Sequence, residues 1–440
     1  MITNHGLHEW QIVPGLPDTG GQNVYVNHFS EALAQLGFKI TIVNRGGYAH
    51  PLTGERRRGL RYKDGQQRIL YLEDGISEFV RKEDMHERIP RLVEALEGFF
   101  GTEGTTADVI LSHYWDGAEV GVLYNRTLPG RVKHIWIPHS LGTIKKRNVS
   151  PDQWASLRMA ERIATEKSLL ADLDGVAATS SIVRQALRED YGYTGPIPFL
   201  SPGIDTGRYY PRQVSDKDGI WDFLSQRTGL SPQEVRRRKI ITEISRTDTT
   251  KRKDVLIKAF AIVQQRVPDS LLVVSIDDSK KDLARELRGL IRSLDLRGQV
   301  AVVGSIWDML PTLYAVTGVY CTPSVMEGFG MSAQEAAATS VPVVASHLVP
   351  FVTEYLLGEE VETIHFEQSE PPLKRGAGAV VVRADDVNGF AHALEMLLTD
   401  DDLRKEMGRS AYRITIPHFT WRNMVIAFLA EIGVSSYQNS

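Results

Sequence analysis

The residues best suited to chemistry in this sequence are two cations and two carboxylates in its C-terminal half. Arg246 and Lys251 stand where a strand-like run ends and a helix begins, and cations so placed can neutralise a departing diphosphate. Glu327 lies in a loop with two glycines, and Glu335 follows inside an alanine-rich helix. A glutamate on such a helix is usually solvated, but the E-x7-E spacing beside the EGFG loop favours contacts with ribose or sugar hydroxyls.

Other charged residues near these four are interpreted as structural. Arg252 and Lys253 could simply face solvent beside the cationic pair. Asp277 and Asp278 end a strand-like run and could be taken for a metal-binding pair. A solvated strand end is preferred, because the cationic pair already supplies positive charge. The sequence therefore predicts neither a metal ion nor another cofactor.

The segment DTGGQNVYV (18–26) places two glycines just before a helix. Glycines let backbone N–H groups approach a ligand closely, and a helix N-terminus favours an anion. A tight turn into the helix explains the segment about equally well. The segment does not have the G-x-G-x-x-G spacing, which counts against a dinucleotide-dependent dehydrogenase.

Two further motifs follow strand-like runs of the N-terminal half. The motif SHYWD (112–116) sets aromatic rings beside Asp116, which suits a sugar, although Trp115 alone is better explained by packing. His139 ends the next run, and the basic residues KKR (145–147) follow it. These cations could hold a phosphate. Without further context a solvated basic loop is the preferred interpretation.

The remaining charges give no sign of a nucleic-acid or membrane partner. The formal net charge is −4, and the run RRRK (236–239) lacks interleaved aromatic residues. Arg162 and Glu166 have i, i+4 spacing, which could be only a surface pair. No apolar stretch reaches the ~18 residues of a membrane span, and the N-terminus lacks a secretory pattern. A single cysteine, Cys321, fits a reducing compartment, so we expect a cytoplasmic protein whose oligomeric state stays open.

The elements that would position these residues alternate between strand and helix. The expected strands lie at 39–46, 107–114, 134–140, 175–180, 238–245, 270–276, 299–305, 318–324 and 341–346. Strands buried on both faces and joined by helices build parallel sheets, which bind ligands at their C-terminal strand ends. Because one core does not extend over 440 residues, we predict two doubly wound α/β domains.

The boundary between these domains is expected in SPGIDTGRYYPRQ (201–213), which contains glycine and proline. The prediction is an N-terminal domain over 1–205 and a C-terminal domain over 206–417. The last helix, within 418–440, is expected to pack back on the first domain.

Taken in order, the motifs resemble the large family of retaining GT-B glycosyltransferases, whose two Rossmann-like domains face each other across a cleft. The E-x7-E element and the Arg…Lys pair are the hallmark of that family. DTGGQ-x-VYV, SHYWD, PHSLG-x-x-KK and SRTD-x-x-K resemble its sucrose-phosphate synthase and mannosylfructose-phosphate synthase branch. The resemblance extends from about Asp18 to Trp421.

The resemblance implies a C-terminal domain that binds a nucleotide sugar. Arg246 and Lys251 would contact the diphosphate, Glu335 the ribose, and Glu327 the transferred sugar. The implied donor-binding set is Gly21, Arg246, Lys251, Glu327, Phe329, Gly330, Met331 and Glu335. The implied catalytic set is His139, Arg246, Lys251 and Glu327.

The resemblance likewise implies an N-terminal domain that binds the acceptor. Lys145 and Arg162 would hold an acceptor phosphate, with Lys82 as a weaker third contact. The implied acceptor-binding set is Gly21, Gln22, Lys82, Tyr114, Asp116, His139, Lys145 and Arg162.

Three departures from the family pattern affect these expectations. The first strand is barely present, because the chain starts only a few residues before His5. Paired glycines expected after the E-x7-E helix are replaced by Leu348 and Val349, which places the local donor geometry in question. The phosphatase-like extension of plant sucrose-phosphate synthases and the N-terminal extension of sucrose synthases are both missing.

The implied reaction is transfer of glucose from UDP-glucose to fructose 6-phosphate with retention, giving sucrose 6-phosphate. Within the same class, a GDP-mannose-dependent mannosylfructose-phosphate synthase or a glycan-assembly transferase is the alternative. A GT-B-fold epimerase and a nucleotide-sugar sensor without turnover are further alternatives. The sensor is disfavoured because pure binding does not require all four charged residues of the C-terminal half.

Overall fold

The computed structural model describes residues 1–12, 16–147, 149–304, 306–366 and 371–435. The chain divides into two compact units. The N-terminal unit comprises Met1–Gly203 and the C-terminal segment that begins at Trp421, and the C-terminal unit comprises Ile204–Thr420. The divisions therefore fall close to the predicted positions 205 and 418.

The strands of the N-terminal unit form two sheets that the first residues of the chain connect. They are β1 (Ile40–Arg45), β2 (Gly59–Tyr62), β3 (Gln67–Leu72), β4 (Val109–His113), β5 (Lys133–Ile137) and β6 (Gly175–Val176). Within the described residues the orders are β1-β3-β2 and β4-β5-β6. Ile2 forms parallel bridges to Val43 and to Ser112. The barely present first strand thus lies between β1 and β4.

Helices flank these strands. They are α1 (Gly21–Gln35), α2 (Ile89–Glu103), α3 (Tyr114–Thr127), α4 (Gly142–Arg147), α5 (Gln153–Ser156), α6 (Met159–Leu169) and α7 (Ser181–Glu189), with 3-10 turns at Lys82–Glu87 and Leu170–Asp172. The periodic apolar residues of α1 are buried, as the sequence predicts: Val26, Phe29, Leu33 and Leu36. They pack with Ile42 and Leu111 into one core cluster.

The C-terminal unit is built on one larger sheet. Its strands are β7 (Lys239–Glu243), β8 (Ser270–Ser275), β9 (Val300–Val303), β10 (Val319–Thr322), β11 (Val343–Ser346), β12 (Glu362–Ile364), β13 (Leu373–Arg375) and β14 (Ala379–Val382). In the described chain the order is β12-β13-β14-β11-β10-β7-β8-β9. β14 through β9 are parallel, and β12 and β13 add an antiparallel edge.

Helices cover this sheet, and its central strands are buried. The helices are α8 (Gly219–Thr228), α9 (Pro232–Arg236), α10 (Lys253–Arg266), α11 (Lys281–Ser293), α12 (Leu310–Val316), α13 (Met331–Ala337), α14 (Val387–Thr399) and α15 (Asp401–Thr415), with 3-10 turns at Thr249–Lys251 and Asp278–Lys280 and a π-helical turn at Val352–Leu356. Burial on both faces explains why these strands read as continuous apolar runs.

The last described helix, α16 (Trp421–Glu431), belongs to the N-terminal unit. The ring of Trp421 lies 4.9 Å from that of Tyr25, and the ring of Phe428 lies 5.8 Å from that of Phe29. The chain therefore returns to helix α1 after it completes the C-terminal unit.

The predicted class, two doubly wound α/β domains, is confirmed. Each of the nine predicted strands overlaps an observed strand. The antiparallel additions β2, β12 and β13 were not predicted, because their residues are largely exposed and carry no apolar run. No helix within the described residues is both long and apolar enough to cross a membrane.

Candidate active site

The N-terminal unit contains a pocket with cations in its walls. Its lining residues are Lys82, Glu83, His86, Tyr114, Trp115, Lys145, Leu157, Arg158 and Arg162. We call this cavity the cationic pocket. The predicted acceptor-binding residues that meet in it are Lys82, Tyr114, Lys145 and Arg162.

Arg162 is fixed by three partners. Its Nε donates to Glu166 Oε1 at 2.8 Å, its Nη1 donates to the Tyr114 hydroxyl at 2.5 Å, and its Nη2 donates to the Ser140 carbonyl. Arg162 and Glu166 are both buried, so the surface-pair interpretation of their i, i+4 spacing is wrong. The network holds the guanidinium at the pocket wall before any ligand arrives.

Lys82 is bound by a residue of the glycine-containing segment. Its Nζ donates to Asp18 Oδ1, and its backbone N–H donates to Asp18 Oδ2 at 3.0 Å. Burial acts to raise the pKa of Asp18, but the hydrogen bonds from Lys82 outweigh it and lower that pKa. The separation of the two residues along the chain explains why the sequence alone did not reveal this pair.

Lys145 is the cation of the basic loop that turns into the pocket. Lys146 lies over the ring of Trp154 at 4.4 Å, and Arg147 pairs with Asp190. The Lys145 ammonium has no hydrogen bond or ion pair to any side chain that the structure describes. Burial, followed by the charges of Arg162 and Lys82, lowers the pKa of Lys145 to about 8. It is therefore the cation most available to a ligand.

Four residues of the pocket were missed in the sequence: Glu83, His86, Leu157 and Arg158. Arg158 has φ 48°, and its Nε lies 2.6 Å from Glu161 Oε2. The His86 ring lies 4.2 Å from the ring of Trp115. The signal that could have revealed His86 is its i, i+4 spacing from Lys82 within one short turn.

Asp116, which the resemblance assigns to acceptor binding, does not line the cationic pocket. Its side chain is fully buried, and it accepts hydrogen bonds from His5 Nδ1 at 2.9 Å and from the His5 backbone N–H at 3.1 Å. Both oxygens are thus committed to His5, so Asp116 does not reach the pocket. Trp115 is also buried, which fits the packing interpretation made for it.

His139 lies outside the cationic pocket and pairs with another histidine. Its Nε2 is 2.8 Å from His113 Nδ1, and the rings are stacked with centroids 5.1 Å apart. Burial, followed by the charge of His5, lowers the pKa of His139 to about 3. His139 is therefore a neutral imidazole at neutral pH. Its φ of 54° lies in the left-handed region, as is common for residues held at a functional site.

Gly21 and Gln22 begin helix α1 and also lie outside the pocket. A Cβ added at Gly21 would meet no neighbour within 4 Å, so the chain does not need glycine there for packing. Gln22 Nε2 donates to Thr3 Oγ1 at 3.0 Å. Their assignment to substrates stays a prediction.

In the C-terminal unit, two of the four charged residues predicted to bind the donor are in direct contact. Lys251 Nζ lies 2.6 Å from Glu327 Oε1. The backbone supports this contact, because the Val325 N–H donates to the Thr250 carbonyl at 2.8 Å. The 3-10 turn and the EGFG loop are thus joined.

Arg246 differs from Lys251 in its surroundings. Its side chain is exposed, and it makes no side-chain hydrogen bond or ion pair within the described ranges. Arg246 and Lys251 both belong to residues 245–253, which connect β7 to α10. We call this stretch the cationic segment.

The backbone at Phe329, Gly330 and Met331 forms the start of α13. Gly330 has φ 114° and ends the EGFG loop, and a Cβ there would approach Val349 Cγ1 to 2.7 Å. The residue that replaces an expected glycine, Val349, is therefore packed against Gly330. Leu348 beside it is 36% exposed and could border a ligand.

Glu335 lies on α13 beside residues that follow the domain boundary. The Tyr209 hydroxyl donates to it, and Arg208 is close enough to act on its charge. Burial raises the pKa of Glu335 to about 7, against the opposing effects of Arg208 and Tyr209. Arg208 also stacks over the exposed Trp307 at 4.1 Å. Nothing in the spacing of Arg208 and Tyr209 pointed to this contact.

Two structural interpretations from the sequence are wrong in part. Lys253 does not face solvent: it is buried, and its Nζ lies 2.7 Å from the buried Glu243 Oε2. Asp277 is half-buried, and its Oδ2 accepts from the Thr247 backbone N–H at 3.4 Å, so its carboxylate is not simply solvated. Asp278 is exposed as expected and pairs with Arg288.

Comparison with known proteins finds two family models that match different parts of the chain. The model described as "Glycosyl transferases group 1" matches residues 231–414, and "Glycosyltransferase Family 4" matches residues 19–208. Together the two matches span both units. The chain is a glycosyltransferase of the GT-B fold, and its C-terminal unit matches the group 1 model.

Relatives and solved structures of this glycosyltransferase agree with that placement. The mannosylfructose-phosphate synthase of Agrobacterium fabrum is 29% identical over 79% of this chain and 75% of its own. A D-inositol 3-phosphate glycosyltransferase of Corynebacterium aurimucosum is 27% identical over 90% of this chain and 87% of its own.

Among solved structures, the sucrose-phosphate synthase of Thermosynechococcus elongatus has the same fold, with a TM-score of 0.74 and 24% identity over 97% of this chain and 96% of that one. The HepE protein of Anabaena, solved with UDP and glucose, has a TM-score of 0.66 at 15% identity over 98% of this chain and 99% of that one. These likenesses concern the fold.

Proposed function

We propose that this glycosyltransferase transfers a hexosyl group from a nucleotide sugar to a phosphorylated sugar, with retention of the anomeric configuration. The observation that carries the proposal is the convergence of Lys82, Lys145 and Arg162 on the cationic pocket. Clustered ammonium and guanidinium groups match the charge and the hydrogen-bonding capacity of a phosphate. The names of two relatives, a fructose-phosphate synthase and an inositol phosphate glycosyltransferase, support a phosphate-bearing acceptor.

The preferred substrates are UDP-glucose and fructose 6-phosphate, which would give sucrose 6-phosphate. The motifs shared with the sucrose-phosphate synthase branch support this choice, as does the likeness to a solved sucrose-phosphate synthase. The alternative is a mannosylfructose-phosphate synthase that uses GDP-mannose. It is favoured by the 29% identity to such an enzyme.

The donor would bind to the C-terminal unit. Arg246 and Lys251 would contact the diphosphate, and Glu335 would accept hydrogen bonds from the ribose hydroxyls. Glu327 and the backbone of residues 329–331 would contact the sugar. Lys251 and Glu327 are paired at 2.6 Å. When the donor binds, diphosphate oxygens would replace Glu327 as the partner of Lys251, and sugar hydroxyls would replace Lys251 as the partner of Glu327.

In the proposed reaction the acceptor hydroxyl attacks the anomeric carbon on the face from which the diphosphate departs. The bond from that carbon to the diphosphate oxygen breaks as the new glycosidic bond forms, and the departing diphosphate takes the hydroxyl proton. Arg246 and Lys251 would stabilise the charge of the leaving group, so the proposal includes no metal. His139 would serve as a neutral neighbour of the sugar, since its pKa is about 3.

A product analysis over crossed donors and acceptors tests this proposal. The purified protein is incubated with UDP-glucose or GDP-mannose and with fructose 6-phosphate, inositol 3-phosphate or their unphosphorylated forms. Free nucleoside diphosphate and the sugar product are measured by mass spectrometry. We expect nucleoside diphosphate release that depends on a phosphorylated acceptor, and an anomeric configuration that NMR shows to be retained.

Other outcomes would redirect the assignment. Conversion of the nucleotide sugar without an acceptor would indicate an epimerase. Nucleotide-sugar binding with no product in any combination would indicate a sensor. Faster transfer to unphosphorylated acceptors would refute the role assigned to the cationic pocket.

A further inference from the structure

A buried ion pair between the last residue of the cationic segment and the end of β7 takes no part in the proposed chemistry. Lys253, the first residue of α10, and Glu243, the last residue of β7, both have side chains that are 0% exposed. Removing two charges from water is costly, and an apolar pair of the same volume is often as stable or more stable. The presence of this pair therefore calls for an explanation other than stability.

The ammonium of Lys253 gathers its partners from two strand ends. Its Nζ lies 2.7 Å from Glu243 Oε2, 2.7 Å from the Ser275 carbonyl, 2.9 Å from Ser275 Oγ and 3.0 Å from the Ser245 carbonyl, so its N–H groups are shared among these acceptors. Ser275 Oγ donates in turn to the Ser245 carbonyl at 2.6 Å and accepts from the Ser245 N–H at 2.9 Å. Ser245 Oγ donates to Glu243. The network thus fastens the end of β7, the end of β8 and the start of α10 together.

This network encloses the residues that carry the donor-side cations. Arg246 directly follows Ser245, and Lys251 stands two residues before Lys253. Between Lys251 and Lys253, Arg252 has φ 48°, so the chain turns sharply there. Because the Arg246 side chain is exposed and makes no hydrogen bond or ion pair in the described part of the chain, its position depends on the backbone that Ser245 anchors.

We propose that Lys253 and Glu243 are positioning residues for donor binding. Their buried pair holds both ends of the cationic segment, so that Arg246 and Lys251 are presented to one diphosphate. A buried polar network that is fully hydrogen-bonded favours one arrangement of the groups around it. Misplacement of a reacting group by about 1 Å can lower a rate by about a hundredfold. The inference rests on the proposed roles of Arg246 and Lys251.

The test removes both charges at once. Lys253→Met leaves Glu243 buried without a partner, so the informative protein is the double variant Lys253→Met/Glu243→Gln. The full-length protein is measured for thermal unfolding, for hydrogen exchange of residues 245–252, and for kcat and the acceptor KM. A matched control is Arg266→Met/Glu395→Gln, which removes a 2.7 Å ion pair from the surface of the same unit.

We expect hydrogen exchange of residues 245–252 to accelerate about tenfold in the double variant, the factor that corresponds to losing one or two hydrogen bonds. Exchange in the strands of the same sheet should stay near the wild-type rate. We also expect kcat to fall while the acceptor KM is unchanged. The surface control should alter none of these quantities.

Unchanged exchange of residues 245–252, or a wild-type kcat, in a folded double variant would overturn the inference. If the double variant does not fold, Ser275→Ala decides, because it removes the hydroxyl that links Lys253 to Ser245 and keeps both charges. The same acceleration is then expected, and its absence refutes the inference. If the wild-type protein transfers no sugar, the proposed function fails, and the exchange result still decides whether the pair positions the segment.

Discussion

The cationic pocket and the cationic segment both gather positive charge, but the two regions hold that charge in different ways. In the pocket, Arg162 has three fixed partners, whereas Lys145 has no hydrogen-bond or ion-pair partner among the described side chains. In the segment, Lys251 is paired with Glu327, a residue that we assign to the same ligand. The pocket therefore resembles a preformed phosphate site. The segment has to exchange an internal ion pair for the diphosphate and sugar of its ligand.

Removal of a cation from the cationic segment should therefore lower the rate, whereas removal of a cation from the cationic pocket should weaken acceptor binding. A cation that meets a developing charge contributes mainly to kcat, whereas a cation that holds a remote phosphate contributes mainly to KM. Variants in the two regions probe this contrast between kcat and KM.

Lys251→Ala should give the largest effect. We expect kcat to fall about 10²–10³-fold, the cost of one transition-state charge contact. Steady-state rates of nucleoside diphosphate release measure it. Arg252→Ala is the matched control, because Arg252 is adjacent and pairs only locally with Asp254. Near-normal turnover in Lys251→Ala would refute the donor assignment.

Lys145→Ala should act on acceptor binding instead. We expect the KM for the sugar phosphate to rise about 10- to 100-fold, as a hydrogen bond to a charged group is lost, with a smaller change in kcat. The control is Lys146→Ala, since Lys146 covers Trp154 outside the pocket. Equal KM values in the two variants would show that Lys145 does not hold the phosphate.

The pH dependence of acceptor use should reveal the ionisation of Lys145. A phosphate monoester becomes a dianion above pH ~6, and Lys145, with a pKa of about 8, loses its charge above that pH. The value of kcat/KM for the sugar phosphate should therefore be highest between these limits. In Lys145→Arg the alkaline decline should be absent, because arginine stays protonated. An unchanged decline would assign it to another group.

Nucleotide binding should show a smaller pH effect through Glu335. Its pKa of about 7 means that the carboxylate forms as the pH rises from 6 to 8. Ionised oxygen accepts ribose hydrogen bonds more strongly, so affinity for UDP or GDP should rise about fivefold over this range. Glu335→Gln cancels the carboxylate contribution, whereas titration of the diphosphate stays the same. Calorimetry that shows the same pH slope in both proteins would contradict the ribose assignment.

Much of the fold was predictable, because parallel strands buried on both faces leave continuous apolar runs in the sequence. The runs that became β7 and β8 are examples, and their bounds differ from the prediction by a residue or two. The exposed strand β2 leaves no such run, so it was missed. Two-sided burial thus made most of the parallel strands recognisable, but the buried strands β3 and β14 were also missed.

The candidate site was predictable to a lesser extent. The family resemblance pointed to Lys145 and Arg162, which the structure brings to one pocket, and the position of Lys251 after a strand-like run pointed to a donor contact that stays a prediction. They did not reveal which charges are already neutralised: Asp116 is committed to His5, and Lys253 is buried against Glu243. Pairing across distant segments depends on the fold, which a single sequence does not display.

The preference for a phosphorylated over a free acceptor decides whether the cationic pocket binds an acceptor phosphate. Wild-type protein is supplied with UDP-glucose or GDP-mannose, and nucleoside diphosphate release is compared with fructose 6-phosphate and with fructose at equal concentrations. We expect kcat/KM for fructose 6-phosphate to be at least about a hundredfold higher than for fructose, because fructose lacks the phosphate and its several charged hydrogen bonds. Equal kcat/KM values for the two acceptors would contradict this expectation.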